Sequence, residues 1–202
     1  MLISTTALVS AQQLDQILAV VSGQVVLRSD VRAFLELGLI EETDTPDKAQ
    51  SDQYYVTKLI ERQLALNEVN RYRVPIPTSE EIDQDLAAIR GRLGGESELS
   101  TLLALVGLGV RDLRQILQDD IRTDVYVRER FGDANQLSES ELISYFDDNR
   151  GSFAAPDRTV EFDEVREAVR LKLWAERREM LVRDWLTGLI RRGEVRSEER
   201  RV

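Results

Sequence analysis

From Glu161 to Ile190 the chain has no proline, and its only glycine is Gly188, so nothing interrupts a helix through this stretch. About 30 residues at ~1.5 Å each make a rod of about 45 Å. A compact globule of 202 residues is only about 43 Å across. One helix must therefore cross the whole molecule. Its apolar stripe also changes sides. At 100° per residue Val165, Val169 and Leu173 lie within about 60° of Phe162, whereas Leu181, Trp185, Leu186, Leu189 and Ile190 centre nearly opposite. Two readings fit: the helix packs against two bodies or leaves apolar surface for another chain, or it is buried all round in a bundle.

The remaining signals are mostly helical. Ile17–Val21 and Val25–Leu27, separated by Ser22-Gly23-Gln24, predict a small hairpin. Ser29, followed by Asp30, reads as the N-cap of a helix running through Phe34 and Leu37 towards Ile40. The acidic stretch from Glu41 to Asp52 reads as a mobile loop. A helix is expected from Asp52 to about Tyr72, ending at Val74-Pro75-Ile76-Pro77, where each residue before a proline is driven extended. Thr78 and Glu81 form a capping box ahead of Ile82, Leu86, Ile89 and Leu93, a narrow one-sided stripe. Gly94-Gly95 ends that helix, and a short one follows around Leu99–Val106. Another runs from Val110 to near Gly132, and Ser138 with Glu141 caps a helix bearing Leu142, Ile143, Tyr145 and Phe146.

Composition removes several chemistries. The chain has no histidine and no cysteine, which excludes Cys/His zinc sites, thiol nucleophiles, Ser-His-Asp triads and disulfide frameworks. A net charge of -10 argues against nucleic acid as a partner, because phosphate neutralisation needs a basic face. Gly107-Leu108-Gly109 lacks the third glycine of a dinucleotide fingerprint. The doublets Glu80-Glu81, Asp119-Asp120 and Asp147-Asp148 diverge by about 100° on a helix and converge on no acid/base or metal site. No catalytic residue, cofactor or metal is expected. Met1–Ala11 is uncharged and ends Val9-Ser10-Ala11, a small-x-small pattern read as the back half of a secretory signal, with a frayed cytosolic tail as the alternative. No other stretch reaches the ~18 apolar residues of a membrane span.

The order of these elements resembles a known family. Ala19-Val20-Val21-Ser22-Gly23-Gln24-Val25-Val26-Leu27-Arg28-Ser29-Asp30-Val31 is similar to the opening hairpin and first helix of SurA-type periplasmic chaperones. Leu59-Ile60-Glu61-Arg62-Gln63-Leu64-Ala65-Leu66, the proline segment through Ile82, and the helix Val110–Val127 follow in the family's order, so the likeness runs to Phe131. The motifs are degenerate singly. In that family a parvulin prolyl-isomerase domain normally follows, and a C-terminal helix then folds back on the module. Here Tyr145–Phe153 with Pro156 resembles the approach to such a domain and Phe162–Arg166 its exit, but only Asp157–Val160 lie between Pro156 and Glu161. The resemblance therefore implies a chaperone module whose isomerase domain is missing, in keeping with the absence of the histidine pair that parvulin sites use.

The expected fold is mainly α, a SurA N-terminal-like helical module with a short N-terminal β-hairpin and a long C-terminal helix packing back on it. Its parts are 1–11 as signal remnant, 12–157 as chaperone module, 158–192 as the long helix and 193–202 as a charged tail. The resemblance implies an ATP-independent periplasmic holdase without isomerase activity, holding unfolded outer-membrane or secreted polypeptides. The alternative is a scaffold or dimerisation module that binds one fixed partner, with a homodimer formed by exchange of the long helix. Phe34, Leu37, Leu171, Trp174, Trp185 and Leu189 are the candidate client-contact residues; ordinary core is the competing reading for each.

Overall fold

The structure, a computed structural model, describes residues 15–42, 47–132, 137–154, 160–193 and 195–197. The proposed signal remnant, residues 43–46 of the acidic loop, and residues 155–159 of the short bridge to the last helix lie outside them, as do positions 198–202 of the tail.

β1 (Ile17–Val21) and β2 (Gln24–Leu27) pair antiparallel across a two-residue turn. Ser22 and Gly23 both have positive φ, 49° and 85°. That is the geometry a tight hairpin needs to follow strand twist, and Gly23 adopts it without steric cost. β2 then runs directly into α1 (Arg28–Glu36), so the N-cap is Leu27 and not Ser29. Asp30 accepts a hydrogen bond from the Leu27 amide at 2.8 Å, while the Ser29 hydroxyl donates to Asp15 instead. The helix stops at Glu36 and does not continue to Ile40; Gly38 follows at φ 61°.

α2 (Lys48–Val69) begins four residues earlier than the sequence predicts, so Lys48–Asp52 is helix and not loop. It ends at Val69, short of the expected Tyr72 and before the proline segment is reached. α3 (Ser79–Leu93) carries the predicted capping box: the Thr78 amide donates to Glu81 at 2.7 Å and the Glu81 amide donates to the Thr78 hydroxyl at 3.3 Å. α3 ends at Gly94, in the left-handed region at φ 103°. α4 (Glu96–Val106) and α5 (Val110–Phe131) follow, and α6 (Glu139–Asp148) carries the second predicted capping box at Ser138 and Glu141. A 3-10 turn at Arg150–Phe153 leads towards α7 (Phe162–Arg192), 31 residues in one helix.

β3 (Val195–Ser197) pairs antiparallel with β1, giving a three-stranded sheet in the order β2-β1-β3. Residues 193–202 were expected only as a charged tail; three of them join the sheet. The pairing of β3 with β1 returns the end of α7 to the N-terminal hairpin, so the long helix does pack back on the module.

The buried side chains form three clusters. The largest gathers β1, β2, α1, α2, the C-terminal half of α5 and the C-terminal half of α7, around Val21, Leu64, Val69, Tyr126, Trp185 and Leu189. A second joins Leu37 to α3, α4 and the N-terminal half of α5. A third contains Leu142 and Phe146 of α6 with Val169 of α7, flanked by Phe162, Val165 and Leu173. The switch of the α7 stripe is thereby explained: its first half closes the third cluster and its second half the first. α5 does the same, with Leu113 and Leu117 in the second cluster and Tyr126, Val127 and Phe131 in the first. Each of these helices serves two cores; α7 does so by turning its stripe, whereas on α5 Phe131 keeps the angle of Leu113 and the length of the helix carries one stripe from the second cluster to the first.

Candidate functional site

Of the six sequence-derived contact residues, four are core. Phe34, Trp185 and Leu189 belong to the largest cluster and Leu37 to the second, where it is fully buried. Their exposure is at most 8%, so they offer no surface to a partner. The reason is packing: α1 is covered on both sides by α2 and α4, and the end of α7 lies against α2. Trp174 is half-buried where the α6–α7 arm meets α5, its indole N–H donating to the Gly132 carbonyl at 3.4 Å. Only Leu171 is exposed, and it stands on the arm, away from Phe34 and Leu37. The six residues do not converge.

A different set does. Tyr72, one turn beyond the end of α2, packs its ring against Tyr126 of α5 with centroids 5.2 Å apart. Tyr126 in turn lies 5.7 Å from Trp185 of α7, and Trp185 lies 5.8 Å from Phe131. The ladder runs from the core outward, from Trp185 through Tyr126 to a half-exposed Tyr72. Beside it the extended segment Arg73–Pro77 leaves α2, with Val74 packed on the core and Ile76 75% exposed. An isoleucine that open is held there by the two flanking prolines, which fix the backbone and keep the segment out of either adjoining helix.

Tyr72, Arg73, Val74, Tyr126, Glu129 and Arg130 line a groove of about 410 Å³ on this surface. Arg130 donates to the Tyr126 hydroxyl, and its guanidinium lies 5.7 Å from the Tyr126 ring centre and 5.6 Å from that of Phe131. Burial pushes the Tyr126 hydroxyl above its ordinary range, against the pull of Arg130. The raised value favours the neutral phenol, which can donate or accept hydrogen bonds. Beneath it the Trp185 indole N–H is buried with no hydrogen-bond partner among the described residues.

A second hollow of about 500 Å³ lies at the end of α7, lined by Asn67, Glu68, Arg71 and Arg192 among others. Its lining is more polar, and Arg71 is occupied by Glu68 at 3.1 Å. Among the described residues no group of three or more Asp or Glu side chains is placed to hold a metal, and no helix is long and apolar enough to cross a membrane.

The sequence held only part of this site. The prolines around Ile76 mark an exposed extended segment. Tyr126, however, lies about 140° around α5 from Leu113 at 100° per residue, off the helix's leading stripe, and 54 residues separate it from Tyr72. Only the crossing of α2, α5 and α7 assembles the ladder. In comparisons with known proteins, no family model and no curated protein matches the chain.

Proposed function

We propose that the protein is an ATP-independent holdase that binds unfolded polypeptide along the groove beside Tyr72, Tyr126 and Ile76. The observation carrying this reading is a continuous aromatic ladder that leads from the core to a half-exposed Tyr72, next to an isoleucine 75% exposed on a proline-fixed strut. An open groove walled by rings suits extended chains of varied sequence, because stacking and apolar contact do not demand one partner shape. The net charge of -10 keeps a loaded complex soluble. The order of motifs similar to SurA-type chaperones supports export to the periplasm and clients bound for the outer membrane or secretion. On this reading there is no catalytic residue, and prolyl isomerase activity is absent with the parvulin domain.

The test is to dilute an unfolded outer-membrane protein into buffer with increasing amounts of the full chain and follow aggregation by light scattering. Suppression at a few-fold molar excess, lost in Tyr72→Ser/Ile76→Ser with unchanged thermal melting, is the expected result. No suppression at a tenfold excess refutes the holdase reading, and a stable dimer in the client-free control would favour the fixed-partner scaffold.

A further inference from the structure

We propose that the groove is a receptor for the free carboxylate end of an extended polypeptide whose last side chain is apolar or aromatic. The inference rests on the client-binding reading above and names what that groove selects. Among the described residues Arg73 and Arg130 have no ion pair with a carboxylate, and the Arg130 guanidinium turns instead to the hydroxyls of Tyr126 and Tyr72. Arg62, by contrast, meets Asp120 at 2.8 Å and Arg177 meets Glu141 at 2.5 Å. Two unmatched guanidiniums on one aromatic groove, in a chain of net charge -10, are a complement for an anion.

Arg130 is also prepared for the task. Lying beside two rings and oriented by the hydroxyls of Tyr126 and Tyr72, its planar fork keeps further donors and loses little freedom on meeting a carboxylate. Glu129 lines the same groove, so a run of acidic residues would be repelled while a single charge is not. The size of the groove, about 410 Å³, is at the small end of ligand sites. It accommodates one or two residues, which a chain end fills and a continuing chain must enter and leave. The terminal side chain then rests on Tyr72 and Tyr126, and its carboxylate meets Arg130 and Arg73.

Three fluorescein-labelled peptides, GSGSALF with a free carboxylate, the same peptide amidated, and amidated GSGSAEF, are titrated with the full chain and followed by anisotropy. The free acid is expected to bind at least about fivefold tighter than its amide, with the glutamate peptide no better than the amide. Arg130→Gln, and separately the exposed Arg73→Gln, should shrink the preference without changing the melting temperature. Equal affinity of acid and amide overturns the proposal, as does a preference that survives in the double variant. A glutamate peptide that matches the free acid overturns the choice of a chain end. The two readings separate cleanly: aggregation suppressed with no acid preference sinks the receptor alone, and acid preference without suppression sinks the holdase alone.

Discussion

Because α7 serves two cores of unequal size, a single truncation should melt one without the other. Val169 is fully exclude from solvent and shares the small cluster with Leu142 and Phe146. Val169→Ala removes two carbons, about 1.6 kcal/mol of transfer free energy at ~0.8 kcal/mol each, and an unrelaxed cavity raises this to roughly 2–3 kcal/mol. Alanine's better helix propensity returns about 0.5 kcal/mol, leaving a net loss of about 1.5–2.5 kcal/mol. With three buried side chains the α6–α7 arm has little reserve, and its ion pairs Arg166–Glu139 and Arg177–Glu141 are exposed enough to add little. The loss should therefore appear as local opening. Hydrogen exchange read by mass spectrometry should accelerate in α6 and residues 162–173, while residues 53–69 of α2 and 113–127 of α5 keep their protection. Leu64→Ala, in the largest cluster, should instead cost about 3–5 kcal/mol and lower protection throughout. If Val169→Ala weakens all helices equally, the two-core account of α7 is wrong.

Two further outcomes follow from local chemistry. Arg177, then the Ser138 amide and hydroxyl, hold the Glu141 carboxyl down to about 2 from an ordinary 4.5. A carboxylate depressed on folding contributes its full stabilisation above about pH 4.5 and loses it as pH falls towards about 2, so Glu141→Gln should flatten that part of the urea-stability profile and leave the neutral-pH slope alone. Thr78→Ala removes the side-chain half of the α3 capping box and should lower stability by about 1 kcal/mol in urea denaturation; an unchanged midpoint would show that the proline segment alone fixes the start of α3.

What the sequence decided by itself is what neighbours along the chain decide. Thr78 with Glu81 and Ser138 with Glu141 cap helices because partners three residues apart meet whatever surrounds them. Ser22-Gly23 turns the hairpin, Gly94 stops α3, and the reversal of the α7 stripe follows from 3.6-residue periodicity alone. Tertiary structure decided the rest, where distant segments compete for one side chain. Asp15 takes the Ser29 hydroxyl, so the cap of α1 moves to Leu27. β3 has one apolar residue and becomes a strand because β1 presents an open edge beside the end of α7. Phe34, Leu37, Trp185 and Leu189 have the spacing of a surface stripe or of a core, and only the packing of α2 and α4 on α1, and of α2 and α5 on α7, makes them core. The same packing brings Tyr72, Tyr126 and Arg130 together from positions 54 and 58 residues apart, and no local pattern encodes a meeting at that distance.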